Sequence, residues 1–152
     1  MAKKTWMTRA AGVLLPVSSL PSKYGVGTFG QAAREWVDFL ARAKQRYWQV
    51  LPLGPTSFGD SPYQSYSAFA GNPLFIDLQE LCNAGLLKKG RCKRTPWGED
   101  PSYVDYDTVR AGRDQLLRRA FSHFQHFRVL ERFRKRNKFW VEDYALYMAC
   151  LL

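Results

Sequence analysis

Two apolar runs, GVLLPV at residues 12–17 and YWQVLPL at residues 47–53, flank one amphipathic segment, and proline interrupts each of them. Runs this short and this apolar predict buried strands. Between them Trp36, Leu40, Ala43 and Tyr47 recur at i, i+4, i+7 and i+11, with Val37 and Phe39 alongside. That spacing predicts a helix with one apolar face. Thr28 and Gln31 have capping-box spacing, which puts the helix start near Thr28. Strand, helix, strand in this order predicts a parallel pair with a right-handed crossover. In such sheets ligands gather beyond the carboxyl ends of the strands. Two Gly/Pro-rich stretches, residues 18–30 and 54–73, each follow a strand directly and so fall on that side.

The second stretch, GPTSFGDSPYQSYSAFAGNP, carries Phe58, Tyr63, Tyr66 and Phe69 between its glycines and prolines. Asp60 is its one carboxylate, and it has no Lys or Arg, in a chain of net charge +10. Aromatic rings on a stiff backbone suit the axial C–H faces of sugars, while Asp60, Ser61, Tyr63 and Gln64 offer donors and acceptors to hydroxyls. Stacked nucleobases would instead call for interleaved Lys or Arg. Asp60-Ser61-Pro62-Tyr63 is therefore expected to meet ligand. Tyr66 and Phe69 are open to two uses, packing the loop down or binding.

Beyond this loop, LFIDL at residues 74–78 reads as a short strand or extended segment, and QELCNAGLL as a short helix. Residues 88–107, with Gly90, Pro96, Gly98 and Pro101, read as irregular. A helix is predicted over residues 108–125, with Leu116, Leu117, Ala120, Phe121 and Phe124 on one face, and another from about Asn137, with Trp140, Tyr144, Ala145 and Met148 in register. This last helix meets the final residue with no Gly, Asn or Pro to stop it, so the chain is expected to end inside a larger domain.

The remaining features exclude more than they assign. Lys88, Lys89, Arg91, Lys93 and Arg94 form one basic patch and residues 128–138 a second, but neither carries a nucleic-acid or phosphate-binding pattern, and both read as solvated faces. Cys82, Cys92 and Cys150 have no C-x-x-C spacing and read as free thiols, with neither a disulfide framework nor a zinc site. His123 and His126 lack a Cys or acidic partner for a metal. No apolar run approaches the ~20 residues of a membrane span, and residues 12–17 are too short for a signal-peptide core. The cytoplasm is the expected compartment.

YWQVLPLGPTSFGDSPYQSYSAFAGNPLFIDL resembles the amino-terminal signature of the 4-α-glucanotransferases, the amylomaltase or disproportionating-enzyme family. GVLLPVSSLPSKYGVGTFG and FWVEDYALYMA resemble the segments before and after it, so the likeness runs over nearly the whole chain in order. The resemblance implies an α/β fold, the amino-terminal part of a (β/α)₈ barrel of the α-amylase type with the start of an inserted helical region. On that reading residues 1–152 are one incomplete barrel domain. About 1–87 hold the first strands and the substrate loop, and about 88–152 an irregular linker and helices. It also implies transfer of α-1,4-glucan segments between malto-oligosaccharides with retention, through a covalent glycosyl-enzyme on two close carboxylates. No metal and no organic cofactor is implied, and neither nucleic acid nor membrane is an expected partner.

By the same resemblance Tyr63 packs against the sugar at the cleavage subsite, and Asp60 and Ser61 line or brace it. Phe58 stands where relatives often place Tyr, at a glucan contact away from the cleft; it keeps the ring face and lacks the hydroxyl. Pro16-Val17 stands where many relatives read His-Pro. None of the 13 carboxylates falls in the family's catalytic motifs, and a closed barrel needs about 250 residues. The chain is thus expected to supply part of the substrate cleft without catalytic residues, and to be inactive alone. A non-catalytic glucan-binding module is the alternative.

Overall fold

A computed structural model of the chain describes residues 9–100 and 102–151, except for the side chain of Phe58. The first strand, β1 (Gly12–Leu14), pairs in parallel with β2 (Tyr47–Gln49) in the register Gly12↔Tyr47, Val13↔Trp48 and Leu14↔Gln49, and helix α1 (Gln31–Arg42) connects them. The predicted βαβ unit is present, with each strand only three residues long. Pro16 and Pro52 have no N–H to give to a ladder, which keeps pairing from extending past them. The Trp48 indole adds a bond across the end of the pair, donating to the Leu15 carbonyl at 2.8 Å.

Helix α1 starts later than its spacing predicts: Gly30 occupies the N-cap, and no side chain caps the helix. Thr28 is buried, and its hydroxyl donates instead to Asp77 Oδ2 at 2.5 Å. A tertiary bond has taken the group that would have made the local cap. Leu40 and Ala33 are buried from the predicted face, but Val37 and Phe39 remain half exposed, because two short strands cannot cover so wide a stripe.

LFIDL is not a strand, and only Ile76 and Asp77 in its middle are extended. Residues Pro73–Phe75 form a 3₁₀ turn and α2 (Leu78–Asn83) follows. Two caps decide this: Asn72 accepts from the Leu74 N–H at 2.9 Å, and Asp77 accepts from the Glu80 N–H at 2.9 Å. The region read as irregular contains α3 (Lys89–Arg94). Then come α4 (Tyr106–Ser122), capped by Asp105, α5 (Phe127–Arg136) and α6 (Lys138–Cys150). On α4, Leu116 and Ala120 are buried as expected, whereas Phe121 is exposed.

The core lies in three patches. Val17, Leu20 and Ala33 pack under the sheet. Leu78, Leu87, Cys92, Leu116 and Ala120 join α2, α3 and α4. Val26, Leu74 and Val109 lie between, and Trp97 packs against the second and third patches. The segment after β1 enters this core through Gly27: a Cβ there would fall 2.0 Å from the Val17 carbonyl oxygen, so only glycine lets the chain pass. Arg113 is buried to 1% exposure at the same junction. Its guanidinium donates to the carbonyls of Ile76 at 2.7 Å and Tyr24 at 3.4 Å, with the Trp97 ring centre 5.9 Å away.

Candidate functional site

The loop that follows β2 is built to hold its own shape. The Asn72 N–H donates to the Leu53 carbonyl at 2.8 Å and closes its base. Higher up, Thr56 and Ser65 form an antiparallel bridge, and the Ser57 N–H donates to the Gln64 carbonyl at 3.0 Å. The tip between them turns through a 3₁₀ segment, Phe58–Asp60, with Gly59 at φ +71° and Asp60 at φ +54°. Two successive left-handed residues explain the Gly-Asp pair, since Gly and Asp tolerate that region better than most residues.

Serines, not charged residues, hold the backbone beyond the tip. The Ser67 hydroxyl accepts from the N–H groups of Phe69 and Ala70, both at 3.1 Å, and the Ser65 hydroxyl donates to the Ser67 carbonyl at 2.9 Å. Short polar side chains thus satisfy the backbone locally, and the loop stays uncharged apart from Asp60. Asp60 accepts from the Thr56 hydroxyl at 3.2 Å and is ion-paired to Arg110 of α4, which anchors the tip to the helical region.

The four predicted residues are placed differently. Tyr63 is 74% exposed and lines a cleft of about 420 Å³ with Pro52, Pro62, Ser65 and Phe69. Asp60 lines a smaller pocket of about 110 Å³ with Pro16, Thr56, Asn72, Phe75 and Tyr106. Pro52, Leu53 and Pro62 belong to both linings and separate the two spaces. Ser61 lies at the turn, its carbonyl accepting from the Gln64 N–H at 3.1 Å, and lines neither space. The Phe58 side chain lies outside the described part of the structure.

Tyr66 and Phe69 pack, and they pack onto α6 rather than the sheet. Ring centres are 5.6 Å apart for Tyr66 and Tyr147, 5.1 Å for Phe69 and Phe139, and 6.0 Å for Phe69 and Trp140. Phe69 keeps 61% of its surface and serves the cleft as well. Sequence spacing gave no sign of Arg110, Tyr106 or α6 as partners of the loop, because all three come from distant parts of the chain.

Neither space contains a Lys or Arg, and Asp60 is the one carboxylate in the two linings. An exposed ring beside small hydroxyls suits a neutral, hydroxyl-rich ligand. Retaining glycosyl transfer needs two carboxyl groups ~5–5.5 Å apart, and Asp60, committed to Arg110 and Thr56, has no such partner among the residues lining these pockets. The two linings thus offer a ring face, small hydroxyls and one carboxylate that is already partnered. Among the described residues no group of three or more His, Cys, Asp and Glu side chains could hold a metal ion, and no helix is long and apolar enough to cross a membrane. Larger hollows lie elsewhere, including a groove of about 760 Å³ between α3 and α4.

A family model described as 4-alpha-glucanotransferase matches residues 15–151. The chain is 51% identical over 146 residues to a 4-alpha-glucanotransferase of Streptococcus pneumoniae, covering 93% of this chain and 28% of that protein. It is 46% identical over 153 residues to one from Thermus thermophilus, covering 94% and 29%. The solved amylomaltase from Streptococcus agalactiae in complex with acarbose superposes with a TM-score of 0.90 at 44% identity, over 94% of this chain and 30% of that one. The chain therefore spans under a third of the length of these relatives.

Proposed function

The chain belongs to the 4-alpha-glucanotransferase family, and on that premise we propose that it forms one wall of the substrate cleft in an enzyme that moves α-1,4-glucan segments between malto-oligosaccharides. The observation that carries this reading is the Tyr63 ring, exposed on a loop whose every anchor is elsewhere, beside an uncharged cleft. Tyr63 presents its face to a glucose ring, Asp60 and Ser61 fix the turn that aims it, and Phe58 offers a second apolar face to the glucan. The binding of acarbose by the Streptococcus agalactiae relative supports a ligand of malto-oligosaccharide type.

On this proposal the βαβ unit is the opening of a (β/α)₈ barrel. Residues up to about 87 supply its first strands and the substrate loop, and residues from about 88 begin an inserted helical region. The enzyme acts in the cytoplasm, retains configuration through a covalent glycosyl-enzyme, and takes both catalytic carboxylates from residues other than these.

The test replaces the matching segment of the Streptococcus pneumoniae enzyme with this chain and compares it with its Tyr63→Ala variant on maltotriose. Loss of a positioning contact of this kind costs on the order of 10²-fold in turnover, with the melting temperature unchanged because the ring is solvent-exposed. A sharp fall in melting with normal turnover per folded molecule would make Tyr63 structural and remove the proposal's main support.

A further inference from the structure

Two of the three cysteines, ten residues apart in sequence, meet in the core between short helices. Cys82 leaves the last turn of α2 and Cys92 lies within α3, and their sulfurs are 3.9 Å apart. Both helices have only six residues, and the turn joining them passes through Gly85 at φ +74°. We infer that Cys82 and Cys92 form a dithiol site, oxidised by a hydroperoxide to an intramolecular disulfide that staples α2 to α3.

The two sulfurs differ in a way that sets the order of events. Cys82 is only partly buried, whereas Cys92 is fully buried, so Cys82 is the more accessible of the two residues. Burial, followed by its contact with Cys82, pushes the Cys92 thiol up to about 11, so Cys92 is a poor first nucleophile. Cys82 attacks the peroxide oxygen as thiolate, releasing one alcohol or water and becoming a sulfenic acid. The Cys92 sulfur then displaces the sulfenic oxygen as a second water. Two thiols and one hydroperoxide are consumed, one disulfide forms, and the two electrons lost by sulfur reduce the O–O bond. The buried Arg113 guanidinium favours the charged form of Cys92 and so eases loss of its proton in the second step.

The bond would have a local readout. The Cys92 carbonyl accepts from the Trp97 indole at 2.8 Å, and Trp97 packs against Tyr24 with ring centres 5.7 Å apart. Fixing Cys92 to α2 therefore fixes the point from which Trp97 hangs.

The intact protein carrying Cys150→Ser, which removes the exposed third thiol, is treated with hydrogen peroxide, unfolded in alkylating reagent and mapped by mass spectrometry. The expected product has lost two hydrogens, resists alkylation at both cysteines together, and yields one linked peptide pair that reduction separates. Cys82→Ser should leave Cys92 untouched by the same treatment, and Cys92→Ser should leave Cys82 as a trappable sulfenic acid. Oxygen addition at Cys82 with Cys92 still free, or no change at either, would overturn the inference. Because the mapping of the Cys150→Ser protein decides this alone, a Cys92→Ser variant that fails to fold does not protect the idea.

Discussion

Arg113 gives the sharpest test of how this fold is held, because its charge and its bulk pull in opposite directions. Burial pushes its guanidinium down to about 10, and a depression of that size corresponds to roughly 3 kcal/mol against the charged form. Against this stand a charge-assisted bond to the Ile76 carbonyl at 2.7 Å, worth about 1.5–3 kcal/mol, and a longer one to Tyr24. The Trp97 face adds about 1 kcal/mol. Charge and bonds nearly cancel, which leaves the side chain's volume as what the core would miss. Arg113→Met keeps most of that volume and should change stability by no more than about 1 kcal/mol. Arg113→Ala opens a hole beneath Trp97 and should lie about 2–5 kcal/mol below the Met variant. Urea unfolding of the intact protein at neutral pH, followed by far-UV circular dichroism, measures both differences. If Met costs as much as Ala, the buried charge itself holds the junction and the cancellation argued here is wrong.

Asp60→Asn should lower stability by about 1 kcal/mol or less, since the Arg110 side of the pair is half-exposed and Asn tolerates the left-handed backbone. Asp60→Val, β-branched at φ +54°, should cost clearly more, and equal melting temperatures for the two would show that the backbone at the tip is not constraining. The Thr108 hydroxyl, then its N–H, holds the Asp105 carboxyl below its ordinary value of 3.8. A depressed carboxyl contributes stability that is full above that ordinary value and lost as pH falls through the lower folded one. Thr108→Ala should therefore flatten the fall of melting temperature below about pH 4, and an unchanged slope would assign that fall to other carboxylates.

What could be read from the sequence was local and periodic. The parallel pair, the helix between its strands, α4 and the start of α6 all follow from apolar spacing and prolines. The errors have three causes: a side chain spent on a distant partner, short-range caps that outweigh an apolar run, and a helix with no apolar period. Thr28 looks like a cap and is spent on Asp77. LFIDL looks like a strand, but Asn72 and Asp77 turn it into two helical starts. Helix α3 was invisible because KGRCKR contributes one buried residue, Cys92, and no apolar period. In the loop, the stretch proposed to meet ligand was marked by composition, since an uncharged aromatic stretch stands out in a basic chain. Its supports were not, because Arg110 and Tyr147 lie far along the sequence and carry no local signal of that use.

That distance has a consequence during synthesis. The aromatics of the loop find their helical partners only when Phe139, Trp140 and Tyr147 exist, roughly 70–80 residues later, so at about 5–20 residues per second the nascent loop waits several seconds with its rings unpacked. A slow codon run or a bound chaperone in that interval would act on the Tyr66 and Phe69 rings before the helix that packs them has been made.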